Sequence, residues 1–169
     1  MFYKLLNILD KKKPFVTVSA KETKYISTSI SNSYEPLAMQ LSTLTLLRNF
    51  DLLNKLYGKC FLSIDEQQQL ITLLEQKLYC SNKVKDEVLM LWKYFSNLSL
   101  HRDATKAHRL LKDILMNMEL VVHHNDNNIL LHLLSMVNKI TVMYWKSRGI
   151  KTRLIQCAPP LSYSICVRR

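Results

Sequence analysis

Glycine is the first shortage, with two in 169 residues, and so few positions that tolerate positive φ exclude phosphate-cradling glycine loops, Rossmann turns and tight two-residue hairpins. Long apolar runs are missing too: none approaches the ~20 residues that a membrane span requires. Met1 to Leu9 is apolar but too short for a signal h-region, and Asp10 and Lys11 to Lys13 interrupt it. The reading is therefore a reducing, cytoplasmic compartment. There Cys60, Cys80, Cys157 and Cys166 act as small core or tail residues and form no disulfide framework.

Acid is scarce at both ends of the chain. Residues 1–34 hold six Lys against Asp10 and Glu22, giving +4, and residues 146–169 hold six Lys or Arg and no acid, giving +6. The stretch between has twelve basic and eleven acidic residues, so nearly all of the net +11 lies outside it. This pattern describes a near-neutral folded body with basic arms suited to anionic partners. Residues 1–13 read as an amphipathic basic segment. Phe2, Leu5 and Leu9 could dip into an anionic membrane surface that Lys11, Lys12 and Lys13 approach, or the segment could cap the core. Residues 14–34, with eight Ser or Thr between Phe15 and Tyr34, read as a flexible linker with a short strand at Val16 to Val18.

What is abundant is helix, and the expected fold is all-α. It is a compact bundle of about five helices over residues 35–149, followed by an extended basic tail over residues 150–169. Pro36 suits a first helical turn, and Leu37, Leu41, Leu44 and Leu47 lead to Leu56 before Gly58 ends the helix. Ser63 and Glu66 have capping-box spacing, opening a helix lined by Leu70, Leu73, Leu74 and Leu78. Ser81 and Asn82 read as the cap of a separate helix carrying Val84, Val88, Leu91, Trp92 and Phe95. Another helix runs to Val122, with Ala107, Leu110, Leu111, Ile114, Leu115 and Met118 on its apolar side. After the polar loop His123 to Asn128, Ile129 to Lys146 is apolar nearly all round and should be central, with Trp145 in the core, before Gly149 stops it.

No enzymatic motif has the required spacing, so no catalytic residue, cofactor or metal site is expected. His123, His124, Asp126 and His132 come near one another in sequence, but adjacent histidines point apart and zinc needs converging ligands. His101 and His108 share a helix face with Arg102, Arg109 and Lys112 and read as part of a solvated basic face. The candidate sites for nucleic acid or an acidic partner are Arg102, Lys106 and Arg109 on one helix and Lys146, Arg148, Lys151 and Arg153 near the tail.

The run Gln67-Gln68-Gln69-Leu70-Ile71-Thr72-Leu73-Leu74-Glu75-Gln76-Lys77-Leu78-Tyr79, followed by Leu89-Met90-Leu91-Trp92, resembles the helical region of paramyxovirus C accessory proteins. The opening Phe2-Tyr3-Lys4-Leu5-Leu6-Asn7-Ile8-Leu9 before a Lys cluster is similar to their leader. The resemblance implies a non-enzymatic viral protein of the host cytoplasm that binds host signalling or viral polymerase proteins, antagonising interferon signalling and modulating viral RNA synthesis. Leu70, Leu74, Leu78, Tyr79, Leu91 and Trp92 would be its core or docking positions. Two alternatives stay open: an RNA-binding regulator using the basic clusters, and a membrane-associated matrix-like protein. The oligomeric state is open as well.

Overall fold

The computed structural model describes residues 35–98, 102–157 and 163–169. The chain divides into two units, Met1–Tyr34 and Glu35–Arg169, and every described residue lies in the second. The amphipathic segment with Phe2, Leu5, Leu9 and Lys11 to Lys13, and the linker after it, lie outside the described residues.

Four helices and one small sheet make up what is described: α1 (Leu37–Tyr57), α2 (Ile64–Asn97), α3 (Arg102–His123), α4 (Asn127–Ser147), β1 (Thr152–Gln156) and β2 (Ser164–Arg168). Helix α1 packs on α2 and α4, and α3 packs on the same two, which closes a four-helix ring. The mostly helical expectation holds, but two details are corrected. The helices placed on either side of Ser81 are one 34-residue helix, about 51 Å long at 1.5 Å per residue. Between Ile64 and Asn97 there is neither Gly nor Pro, and the buried positions Leu73, Lys77, Cys80, Val84, Val88, Leu91 and Phe95 keep helical spacing through Ser81. Ser81 is not a cap; its side chain is fully buried in mid-helix.

The second correction concerns the tail. Residues 152–156 and 164–168 pair antiparallel, with Leu154 opposite Cys166 and Thr152 opposite Arg168. The connection over residues 157–163 is long, so the hairpin forms without the tight glycine turn that the composition excludes. Its anchor is Asn138 of α4. The Asn138 amide nitrogen donates to the Ser164 carbonyl at 2.8 Å, and its oxygen accepts from the Cys166 backbone N–H at 3.1 Å and from Gln40 Nε2 at 2.8 Å. One side chain thus ties α1, α4 and β2 together.

The core is made by Met39, Leu46, Leu47, Phe50 and Leu53 of α1, Val84, Val88 and Leu91 of α2, Leu111, Ile114 and Met118 of α3, and Leu130, Val137 and Ile140 of α4. Helix ends follow local chemistry. Ser63 Oγ accepts from the Glu66 N–H at 3.3 Å while Glu66 Oε2 accepts from the Ser63 N–H at 2.9 Å, completing the capping box. Asp126 Oδ1 accepts from the Asn128 N–H at 2.8 Å and opens α4. Beyond its end, Gly149 takes φ 71°, the left-handed conformation that a glycine adopts without strain.

Candidate functional site

Two places carry most of the polar and cationic chemistry of the body. One is the end of α4 with the start of the hairpin. Tyr144 and Trp145 are buried there, their rings edge to face with centroids 5.1 Å apart. Arg148 Nη1 donates to Tyr144 Oη at 3.1 Å, and its guanidinium lies 5.8 Å from the centroids of both rings. Burial pushes the Tyr144 phenol up, and its hydrogen bond from Arg148 acts the other way. Tyr94 Oη and Ser147 Oγ share a hydrogen bond at 2.8 Å. The cluster closes this end of the bundle around an aromatic core.

The other is an open groove of about 840 Å³ between α3, α4 and the hairpin, with Leu110, Leu134, Val142 and Met143 in its walls and Lys106 and Lys139 beside them. Among the described residues that line it there is no His, Cys, Asp or Glu. What they offer is apolar contact beside two cations.

The basic residues singled out from the sequence lie on α3, at the end of α4 and at the start of the hairpin. Arg102 begins α3. Lys106 and Arg109 stand exposed on that helix, Lys106 at the groove. Lys146 pairs with Asp103 at 3.7 Å, Arg148 turns inward onto the aromatic cluster, and Lys151 and Arg153 are exposed at the start of the hairpin. His108 departs from the solvated-face expectation. Its ring is 4.7 Å from that of Trp92, and Nε2 lies 3.2 Å from Ser96 Oγ, so it ties α3 to α2.

The four cysteines are all free. Cys80 is buried in α2 and Cys166 in β2, and burial pushes both thiols up. Cys157 is half-buried where the hairpin loop begins. Cys60 is exposed in the connection between α1 and α2, and is neither a core nor a tail residue as expected.

A family model, nickel-containing superoxide dismutase, matches residues 32–148, a stretch that contains all four helices. The chain belongs to the nickel-containing superoxide dismutase family. No curated protein and no solved structure matches the chain. This membership overturns the resemblance to paramyxovirus C accessory proteins, and with it the expectations of a viral interferon antagonist and of host signalling or viral polymerase partners. Possible RNA and an anionic membrane fall with them as partners. The same match corrects the expectation that the chain is not an enzyme, because its family is one of oxidoreductases that act on superoxide.

The family implies a nickel ion, and the described residues of this chain do not fit one. Among the described residues no three His, Cys, Asp or Glu side chains converge on a point where a metal could sit. Every cysteine of the chain is described, and four of its five histidines are. The remaining one is His101; residues 1–34 contain neither Cys nor His. A bound thiolate must lose its proton, whereas the buried Cys80 and Cys166 hold theirs more tightly than a free thiol. Of the histidines, His108 lies against Trp92 with its ring tilted by 39°, and His123 Nε2 lies 3.7 Å from Glu119. These are ties within and between helices, and none leaves a cluster of donors open to a metal. Sequence reasoning missed the family because the matched stretch, residues 32–148, presents itself chiefly as apolar helices. Apolar periodicity alone does not distinguish one helical family from another.

Proposed function

We propose that the chain acts on superoxide, in the reaction for which its family is named. In that reaction one superoxide is oxidised to dioxygen while a second takes up its electron and two protons to give hydrogen peroxide. The observation that carries this reading is the family match over residues 32–148. Charge supports it: the substrate is an anion, and a chain of net charge +11 with exposed Lys106, Arg109, Lys112, Lys151 and Arg153 draws anions toward its surface. No residue of the chain is assigned to nickel, and no step is routed through it.

The test is superoxide consumption by the purified full-length chain, measured before and after incubation with nickel and removal of unbound metal, alongside the metal content of the protein. The reading predicts consumption above the spontaneous rate, with or without added nickel, that slows as ionic strength increases. A chain that does not speed superoxide loss under either condition would refute it.

A further inference from the structure

Helix α4 is apolar nearly all round, and the bundle covers only part of it. Leu130, Leu133, Val137 and Ile140 are buried in the core, but Leu131 is 41% exposed and Val142 37%. Those two, with Leu134 and Met143, line the open groove of about 840 Å³ that α4 shares with α3 and the hairpin. On its other walls stand Leu110 of α3 and Leu154 of β1, the latter 64% exposed. The lining positions of α4 recur at i, i+3 and i+4 from Leu131 to Met143, one stripe about 18 Å long at 1.5 Å per residue. A concave apolar strip of this kind gains by having its surface covered.

The charge of the groove is of one sign. Lys106 belongs to the α3 wall and Lys139 to the α4 wall, and both are exposed. Neither meets a carboxylate among the described residues, whereas Lys59, Lys83, Lys85 and Lys146 each do. Asn138, which also borders the groove, is engaged with Gln40, Ser164 and Cys166.

We propose that the groove binds a free long-chain fatty acid, its acyl chain on the apolar stripe and its carboxylate drawn to Lys106 and Lys139. Charge selects the head: a carboxylate offers two acceptor oxygens and no donor, and Lys is a compact cation that only donates. Length selects the tail, because the stripe exceeds the ~15 Å that the acyl chains of one leaflet fill in a hydrocarbon core about 30 Å thick. Volume selects a single chain. The groove's 840 Å³ lies within the roughly 300–1,000 Å³ of small-ligand sites, which are apolar with a few polar groups to orient the ligand. A helical peptide is about 10–12 Å across with its side chains, so ten residues of it fill on the order of 1,200 Å³, more than the groove holds. The site is independent of superoxide chemistry and stands whether or not that reading does.

The experiment is calorimetric titration of the purified full-length chain with saturated fatty acids of increasing length, below their micelle concentrations. It is run on the natural sequence, on the pair Lys106→Glu with Lys139→Glu, and on Leu78→Glu, which alters an exposed stripe of α2 that also holds Leu74 and Tyr79. The alcohol of equal length is titrated alongside. All three substituted residues are exposed, so helical circular dichroism should be unchanged. The expected result is one fatty acid bound per chain, with affinity rising roughly fourfold for each added methylene and methyl resonances of Leu131, Val142 and Leu154 shifting on binding. The alcohol and the double variant should bind about tenfold more weakly or worse, and Leu78→Glu should bind as the natural chain does. No saturable binding up to about 100 μM, equal binding of the alcohol, or loss of binding in Leu78→Glu overturns the proposal. So does an acidic amphipathic peptide that binds the natural chain and not the double variant while the fatty acid binds neither.

Discussion

Replacing Ser81 with Ala should stabilise the protein, and the sign of the change separates two pictures of the longest helix. Ser81 is fully buried at the middle of α2, and its hydroxyl has no hydrogen-bond partner among the described residues. Burying a hydroxyl without a partner costs about 1–3 kcal/mol, and Ala exceeds Ser in helix propensity by about 0.5 kcal/mol. Losing one oxygen leaves a void too small to offset much of this, so a net gain of about 1–2 kcal/mol follows. Had the chain used Ser81 to cap a separate helix, the same change would remove a cap and cost about 1 kcal/mol. Urea unfolding followed by circular dichroism reads the difference as a shift of midpoint at constant slope. A midpoint that falls, or does not move, would refute the reasoning that the hydroxyl is buried and unpaired.

Other expectations concern caps, titration and backbone. Ser63→Ala breaks the capping box and should lower stability by about 1 kcal/mol in the same assay, with the loss confined to the start of α2 by hydrogen exchange. Lys77 is buried over the Phe50 ring at 4.9 Å, with Nζ donating to Asn125 Oδ1 at 2.8 Å, and burial lowers its pKa below the usual 10.5. The unfolded chain therefore binds the Lys77 proton more tightly than the folded one, so this group's contribution to stability rises as pH climbs from its lowered value toward 10.5. Relative to Lys77→Met, which shares every other titrating group, the natural protein should gain stability between neutral pH and pH 10; a flat difference would show that the ammonium is solvated. Gly149→Ala meets open space but must hold φ at 71°, and should cost about 1 kcal/mol in thermal unfolding.

Much of the architecture is legible before any coordinates because it is written locally. The capping box at Ser63 and Glu66, the glycines at 58 and 149 and the apolar periodicity place three of the four helices near their actual bounds. What is hidden is long-range. Ser81-Asn82 has the composition of a cap, and only continuity of the buried face across it shows that the helix runs on. The hairpin is obscure because β1 is largely exposed and lacks alternation, its position being set by Asn138 and Gln40 from distant helices. Leu74, Leu78 and Tyr79 read as inward-facing leucines and an aromatic, yet they form an outer stripe: a helix with apolar residues on two sides does not reveal from sequence which side the bundle takes. The candidate site was the least legible part. Lys146 meets Asp103 of another helix and Arg148 folds back onto Tyr144 and Trp145, contacts that spacing alone does not reveal, and family membership rests on the helical stretch as a whole.

The Asn138 amide holds three partners whose sequence separations are 98, 28 and 26. Such a junction does not loosen by degrees. Lifting β2 away strands the Asn138 nitrogen, leaves its oxygen with Gln40 alone and loosens that remaining bond, so the strand and the start of α1 should open as one cooperative unit. The slow exchange of the Cys166 amide would then report on the integrity of a helix more than a hundred residues earlier in the chain, a gauge of closure located in the last strand.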